Sequence, residues 1–383
     1  MNWKVLFFIL LAAASSGALA NDGTYYTQGN QLVPLQETDI SVRREVLTIS
    51  LGDDGYARVD VRYEFWNPSK TVKRVMMGFE AEPPYNDDYT FHPDGAHPNI
   101  KFFTVEMNGR RLEYRHIACY KDSLPLVPID TTKRYYIWDD NTLHESHEGK
   151  EDYPSNDEVN IVFAYIYTFE AEFQPGLNTV HHTYTYRVST AAGIPWLLEY
   201  KLSPASRWAG GKIDDFTLVV RTDSTAKHFT VLKNALPGAE FALLEGSGKM
   251  RHNKLFSDPC YEISMRNGAI QWHIKDFRPK NELFVAGIDV YSEIDGPYRL
   301  GYSYDRWSTV HLWEEPDETE PKDEAFRKRI MRNLPYAHRG YVFRDPKLKA
   351  YFESLWWYMP DPEYKASDTD FTEVDRFYIE NGM

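Results

Sequence analysis

Eight cations, Arg327, Lys328, Arg329, Arg332, Arg339, Arg344, Lys347 and Lys349, fall within 23 residues that hold a single acid, Asp345. Tyr336, Tyr341, Phe343, Trp356, Trp357 and Tyr358 interleave with this run or follow it. Guanidinium groups grip carboxylate and phosphate bidentately, and aromatic rings stack on sugar faces. The rest of the chain is acidic, and its formal net charge of -14 leaves no general basic face for nucleic acid. A local basic and aromatic face in such a chain suits an anionic polymer, with Tyr336, Arg339, Tyr341, Arg344 and Trp357 as candidate binding residues. The simpler use of the same residues is charged helix surface around a small aromatic core, which a short module needs.

Other chemistry is sparse. His144-Glu145-Ser146-His147-Glu148 lacks the order of ligands that helical zinc proteases use, and it lies in a polar stretch from Asp139 to Asp157 that reads as a loop. His92 and His97 flank Asp94 among prolines, again a loop, from Pro83 to Pro98. His181 and His182 project to opposite faces of a strand and cannot share an ion. No G-x-S-x-G elbow and no glycine-rich phosphate loop occurs, and no carboxylate pair stands out as a glycosidase acid and base. The expectation is a protein with no catalytic residues, no metal and no cofactor.

The start of the chain has the form of an export signal. Lys4 is followed by an apolar run from Val5 to Ala14, too short for a bilayer span, and Ala18-Leu19-Ala20 fits the pattern that signal peptidase cuts. Cleavage after Ala20 would leave a mature chain starting at Asn21, with no later stretch apolar enough to cross a membrane. The setting would be the periplasm or the cell exterior. Cys119 and Cys260, the chain's two thiols, could then form one disulfide, closing a loop of more than 100 residues.

These residues must be positioned by two kinds of element. From Thr38 to Ser303 the pattern is β. Ala57, Val59, Val61, Tyr63 and Phe65 alternate with Arg58, Asp60, Arg62 and Glu64, the period of a half-buried strand. A second such run, Val159 to Phe169, and a third, Val180 to Val188, flank Pro175-Gly176 and read as a hairpin. Asn108-Gly109 and Asn267-Gly268 carry the type I′ signal for two more. Phe216–Thr222, His228–Leu232 and Leu283–Tyr291 are further strands. The 27 Tyr, 21 Phe and 10 Trp suit such a core. The fold class expected for residues 21–313 is a mainly β, antiparallel β-sandwich region of one or two lobes.

Residues 314–324, with seven acids and two prolines, read as a linker. Beyond them the period becomes helical. Phe326, Ile330 and Leu334 mark a first helix. Asp345-Pro346 starts a second, with Leu348, Tyr351, Phe352 and Leu355 on its apolar side and Pro360 and Pro362 ending it. Asp370 with Glu373 has capping-box spacing for a third, closed by Asn381-Gly382. Residues 325–383 are thus expected to be a small helical domain.

That domain resembles the YARHG family, a small extracytoplasmic domain named for its signature word. The word here is Tyr336-Ala337-His338-Arg339-Gly340, with His and Arg exchanged. Arg332-Asn333 stands before it, and YVFRDPKLKAYF and WWYMP follow, from Tyr341 and Trp356. The resemblance covers residues 322–383. It implies export and an envelope or extracellular setting, and no reaction. The resulting expectation is an exported non-catalytic protein whose C-terminal module binds an anionic envelope polymer such as peptidoglycan. The alternatives are an exported glycan or peptide hydrolase with carboxylates in the β region, and a structural subunit of a surface assembly. The β region matches no family by its residues, and the oligomeric state is left open.

Overall fold

A computed structural model describes residues 28–29, 32–35, 38–52, 54–81, 95–120, 126–130, 135–137, 143–145, 163–191, 194–222, 226–255, 258–287 and 323–382. The expected signal segment, His92, Asp94, His147, Glu148 and most of the acidic linker lie outside these residues.

The described strands are β1 (Gln28–Gly29), β2 (Leu32–Pro34), β3 (Ser41–Leu51), β4 (Tyr56–Asn67), β5 (Lys73–Ala81), β6 (Ile100–Met107), β7 (Arg110–Arg111), β8 (Arg115–Tyr120), β9 (Tyr135–Ile137), β10 (Leu143–Glu145), β11 (Phe163–Phe173), β12 (Gly176–Arg187), β13 (Ser189–Ala191), β14 (Ile194–Tyr200), β15 (Ile213–Thr222), β16 (Ala226–Leu232), β17 (Glu240–Leu255), β18 (Asp258–Phe277) and β19 (Leu283–Gly287). The large sheet runs β1-β14-β19-β16-β18-β15-β3-β4-β12-β6-β7, with β13 beside β14 and β17 along β18. A second sheet runs β2-β5-β11-β8, and β9 pairs with β10. The mainly β, antiparallel reading holds. Among the described pairings, β1 with β14 and β3 with β15 are parallel. The β3–β15 pair joins the early strands to the late ones, and one contiguous apolar cluster runs through both halves.

The alternation in β4 works as expected: Ala57, Val59, Val61, Tyr63 and Phe65 are buried. Asn108-Gly109 makes the expected hairpin between β6 and β7, with φ of 50° and 77°. Two other expected hairpins do not form. β11 pairs with β5 and β8 in the small sheet, whereas β12 pairs with β4 and β6 in the large one. Pro175-Gly176 is therefore an arch between sheets. Period-two patterning says which face of a strand is apolar and not which strand lies beside it. Here the apolar faces meet across the core, where Tyr167 and Tyr184 both pack on Phe79 at ring separations of 5.7 and 4.7 Å. Asn178 holds the arch, accepting from Gln174 N at 2.9 Å and donating to Gln174 O at 2.8 Å.

Asn267-Gly268 lies inside the 20-residue strand β18. It forms a bulge against β17, where the register shifts between Leu243 and Ser247. Gly246 at φ +74° and Gly268 let the backbones approach so closely that a Cβ on either would fall 2.2 to 2.5 Å from a carbonyl oxygen. His144, expected in a loop, lies in β10, paired with Tyr136.

The C-terminal helices are α1 (Glu324–His338), α2 (Pro346–Ser354) and α3 (Glu373–Asn381). Asp323 caps α1 and Asp345 caps α2, accepting from Lys347 N and Leu348 N, with Pro346 in the first turn. α2 ends at Ser354, before the prolines expected to stop it. The cap of α3 is displaced from Asp370 to Thr372, which forms a capping box with Asp375. Gly382 closes α3 in the left-handed region at φ 66°.

Candidate functional site

The five candidate binding residues divide by depth. Arg339 leaves the end of α1 and reaches across to α3. Its guanidinium donates to Asp375 Oδ2 at 2.6 Å, Asp370 O at 2.7 Å and Pro335 O at 3.1 Å, and it lies 5.0 Å above the Phe371 ring. Asp375 is 1% exposed and also accepts from Thr372 N at 2.9 Å. One buried carboxylate thus serves both the cap of α3 and the tie to α1. Tyr336 packs on Phe371 and Tyr341 at 4.8 and 5.8 Å. Tyr341 packs on Phe343 and accepts at its carbonyl from Tyr358 Oη at 2.6 Å. Trp357 is buried. Arg344 is exposed.

The helical domain lies against one face of β16, β17 and β18. Opposite faces of β18 differ in kind. Ile263 and Met265 belong to the sandwich core, while Glu262, Ser264 and Arg266 project the other way. Strand register sets His228 beside Ser264 and Thr230 beside Glu262 from β16, and Lys249 and Arg251 beside the same residues from β17. Glu262, Ser264 and Thr230 are fully buried and His228 is 5% exposed. Lys249 Nζ donates to Tyr358 O at 2.9 Å, Arg266 Nη2 to Met359 O at 3.4 Å and Ser264 Oγ to Trp357 O at 3.4 Å. Arg266 also faces Asp361 at 3.6 Å. The Arg251 guanidinium lies 4.6 Å over Trp356 while its Nε holds Glu262 Oε2 at 2.5 Å. His228 bonds Ser264 Oγ at 2.5 Å, and its ring stands 6.4 Å from that of His338. Gly340, at φ +86°, accommodates the sheet: a Cβ there would lie 2.7 Å from Arg266 Nη2.

Residues 318–381 match the YARHG domain family. The signature word therefore sits where the domain meets the sheet and where α1 is tied to α3. Residues 20–124 match a domain of unknown function, DUF4424. No curated protein matches the chain. Among solved structures, a protein from Legionella pneumophila provisionally named as nutrient binding aligns at 17% identity and a TM-score of 0.49, over 93% of this chain and 98% of that one. An M1 zinc metallopeptidase from Deinococcus radiodurans aligns at 11% identity and a TM-score of 0.25, over 67% of this chain and 43% of that one. At these scores the likenesses carry no weight for fold or function.

Among the described residues, the basic side chains of the YARHG domain other than Arg339 face outward. Arg327, Lys328, Arg329, Arg332, Arg344, Lys347 and Lys349 are exposed. Arg329 pairs with Asp345 at 2.8 Å, Lys328 with Glu324 at 3.4 Å and Lys349 with Glu353 at 3.8 Å. The Asp345 carboxyl is held below its ordinary value, first by the Leu348 N–H and then by Arg329. After Lys349 the sign of the domain reverses, with eight acids and two bases among residues 350–383.

The expected disulfide is absent. Cys119, on β8 of the small sheet, is buried among Ala164 and Ile166, and Cys260, on β18 of the large sheet, beside Leu232. Both thiols are unpaired, and burial pushes each up to about 11. No group of three metal-ligating side chains occurs among the described residues. His181 and His182 do face opposite ways: His181 bonds Asp60 Oδ2 at 2.8 Å, and His182 is buried in the core. The polar seam between sheet and helices was not foreseen. Its sequence signal is the polar row Glu262, Ser264, Arg266, sharing a strand with apolar Ile263 and Met265 rather than facing solvent.

Proposed function

We propose that this is an exported, non-catalytic binding protein of the periplasm or cell exterior, in which the outward basic side of the YARHG domain holds an anionic envelope polymer such as peptidoglycan. The observation that carries this reading is the split of the domain into an exposed basic run and an acidic remainder. Residues 327–349 hold eight bases and one acid, and seven of those bases are exposed. Arg344 and Lys347 flank the start of α2 on that side. Tyr336, Arg339, Tyr341 and Trp357 act beneath it, shaping the surface that presents these cations. On this reading residues 1–20 are a signal peptide, the β region of residues 21–313 carries the domain, and residues 314–324 link the two. Among the described residues no helix is long and apolar enough to cross a membrane.

Retention of the mature protein on insoluble peptidoglycan tests the reading. It should fall as salt rises, because exposed charges are screened beyond about 8 Å at physiological ionic strength. Replacing Arg344 and Lys347 together with Gln should lower retention several-fold at low salt and leave the helical circular dichroism intact. Equal retention by the variant, or none by the wild type, would refute it. N-terminal sequencing of the protein from cell envelopes should read from Asn21.

A further inference from the structure

We propose that the β region carries a binding site of its own: a cleft on the outward face of β3, β4, β12 and β6 that takes a peptide of two or three residues by its two charged termini.

Strand register builds the cleft. One row of side chains across the four strands is Glu106, His181, Arg62 and Val46, and the next is Thr179, Glu64 and Arg44. Together they line a cleft of about 440 Å³, a volume typical of small-ligand sites. Tyr63 and Val180, both buried, floor it, and the Asn108-Gly109 turn closes its β6 end. The Asn108 side chain fixes that end, donating to Asn178 Oδ1 at 3.0 Å and accepting from Thr179 N at 2.9 Å.

The charges select the ligand. Asp60, in the adjoining row, holds Arg62 Nε at 3.2 Å and His181 Nε2 at 2.8 Å, and leaves Arg62 Nη1 uncommitted. Arg44 lies 3.7 Å from Glu64, beyond hydrogen-bond length. Among the described residues, Glu106 has neither an ion pair nor a side-chain hydrogen bond. The cleft therefore offers cations on β3 and β4 and a free carboxylate on β6. A wholly anionic ligand would meet Glu64 and Glu106, and a wholly cationic one Arg44 and Arg62. A sugar would find no exposed phenyl, phenol or indole ring to stack on. A zwitterion satisfies both sides. Strands about 4.8 Å apart set the backbones of Glu106 and Arg62 about 10 Å from each other. The ends of an extended di- or tripeptide are about 7–11 Å apart, which suits that span better than a single amino acid does. Its ammonium goes to Glu106 and its carboxylate to Arg62 and Arg44. The cleft belongs to the β region, so the inference does not rest on the reading of the YARHG domain.

Isothermal titration of the full-length mature chain with trialanine, at neutral pH and low salt, tests the cleft. Saturable binding is expected in the micromolar to millimolar range. Trialanine acetylated at its N-terminus, or amidated at its C-terminus, should bind at least about fivefold more weakly. Glu106→Gln and Arg62→Gln should each weaken binding of the free peptide by a similar factor. Both side chains are exposed, so circular dichroism and melting temperature should not move. The acetylated peptide, which has no ammonium to offer, should be insensitive to Glu106→Gln. No saturable binding through the millimolar range, equal binding of the capped peptides, or unchanged affinity in either variant would overturn the proposal.

Discussion

Two imidazoles, His182 and His338, are both held neutral, by different surroundings. His182, on β12, is enclosed by rings of the sandwich core, with Tyr63 and Tyr184 at 5.8 Å and Phe79 and Phe103 at 6.1 Å. Burial pushes it down to about 3, and His181 adds to the effect. His338 lies at the edge of a small domain, where burial acts together with the neighbouring charge of Arg339. The two shifts are similar and their structural meanings differ. Charging His182 opposes the fold of the whole β region, because no rearrangement short of unfolding exposes it. His338 ends α1 and stands 6.4 Å from His228 of the sheet, so its surroundings come from two parts of the chain that each have their own core.

The largest effect is expected from removing the cation beside His338. Arg339→Gln leaves Asp375 buried without its charge partner, a change that costs about 3–5 kcal/mol in comparable buried pairs. The helical domain should therefore lose its cooperative thermal transition while the β region melts as before. Calorimetry of the full-length mature chain checks this, and a variant whose helical transition is unmoved would show that Arg339 is free to serve a ligand. The same substitution is thus a poor probe of polymer binding, for which Arg344 is the cleaner site.

A smaller effect is expected from the core. The folded value of His182 lies below the ordinary one, so its contribution is intact above about pH 6.5 and is lost as pH falls toward about 3. At about pH 4.5 the β region should have lost on the order of 2.7 kcal/mol, at about 1.36 kcal/mol per unit. His182→Leu should remove most of that slope in denaturant melts across this range. An unchanged slope would place the acid sensitivity of the β region elsewhere.

Sequence reading recovered most elements and little of how they meet. Local signals were sufficient where the physics is local: Asp345-Pro346 opens α2, Gly382 closes α3, and Asn108-Gly109 turns a hairpin. They failed where neighbours decide. Asn267-Gly268 carries the same turn signal as Asn108-Gly109, yet β17 runs alongside it and leaves room only for a bulge. Pro175-Gly176 separates two well-patterned strands, and the pattern is equally consistent with strands side by side and strands face to face. The basic and aromatic run was legible as a feature, but its internal division was not. Spacing could not show that Arg339 turns inward to Asp375 while Arg344 stays outside. That difference rests on Asp375, 36 residues away in sequence and placed by the cap of α3.

The smallest expected effect concerns the two thiols, which extend the comparison to groups shifted mainly by burial. Cys119 and Cys260 sit in different sheets and in separate apolar clusters, and each is held up to about 11, so at neutral pH both stay protonated and unreactive. An oxidising compartment alone does not join thiols whose strands hold them apart. Reductant should therefore leave the melting temperature unchanged, whereas loss of a bridge closing so long a loop would remove about 4–5 kcal/mol. Titration of the denatured, unreduced protein should find two free thiols per chain. Finding none would mean that β8 and β18 approach each other in solution, and the separation of the two sheets described above would have to be redrawn.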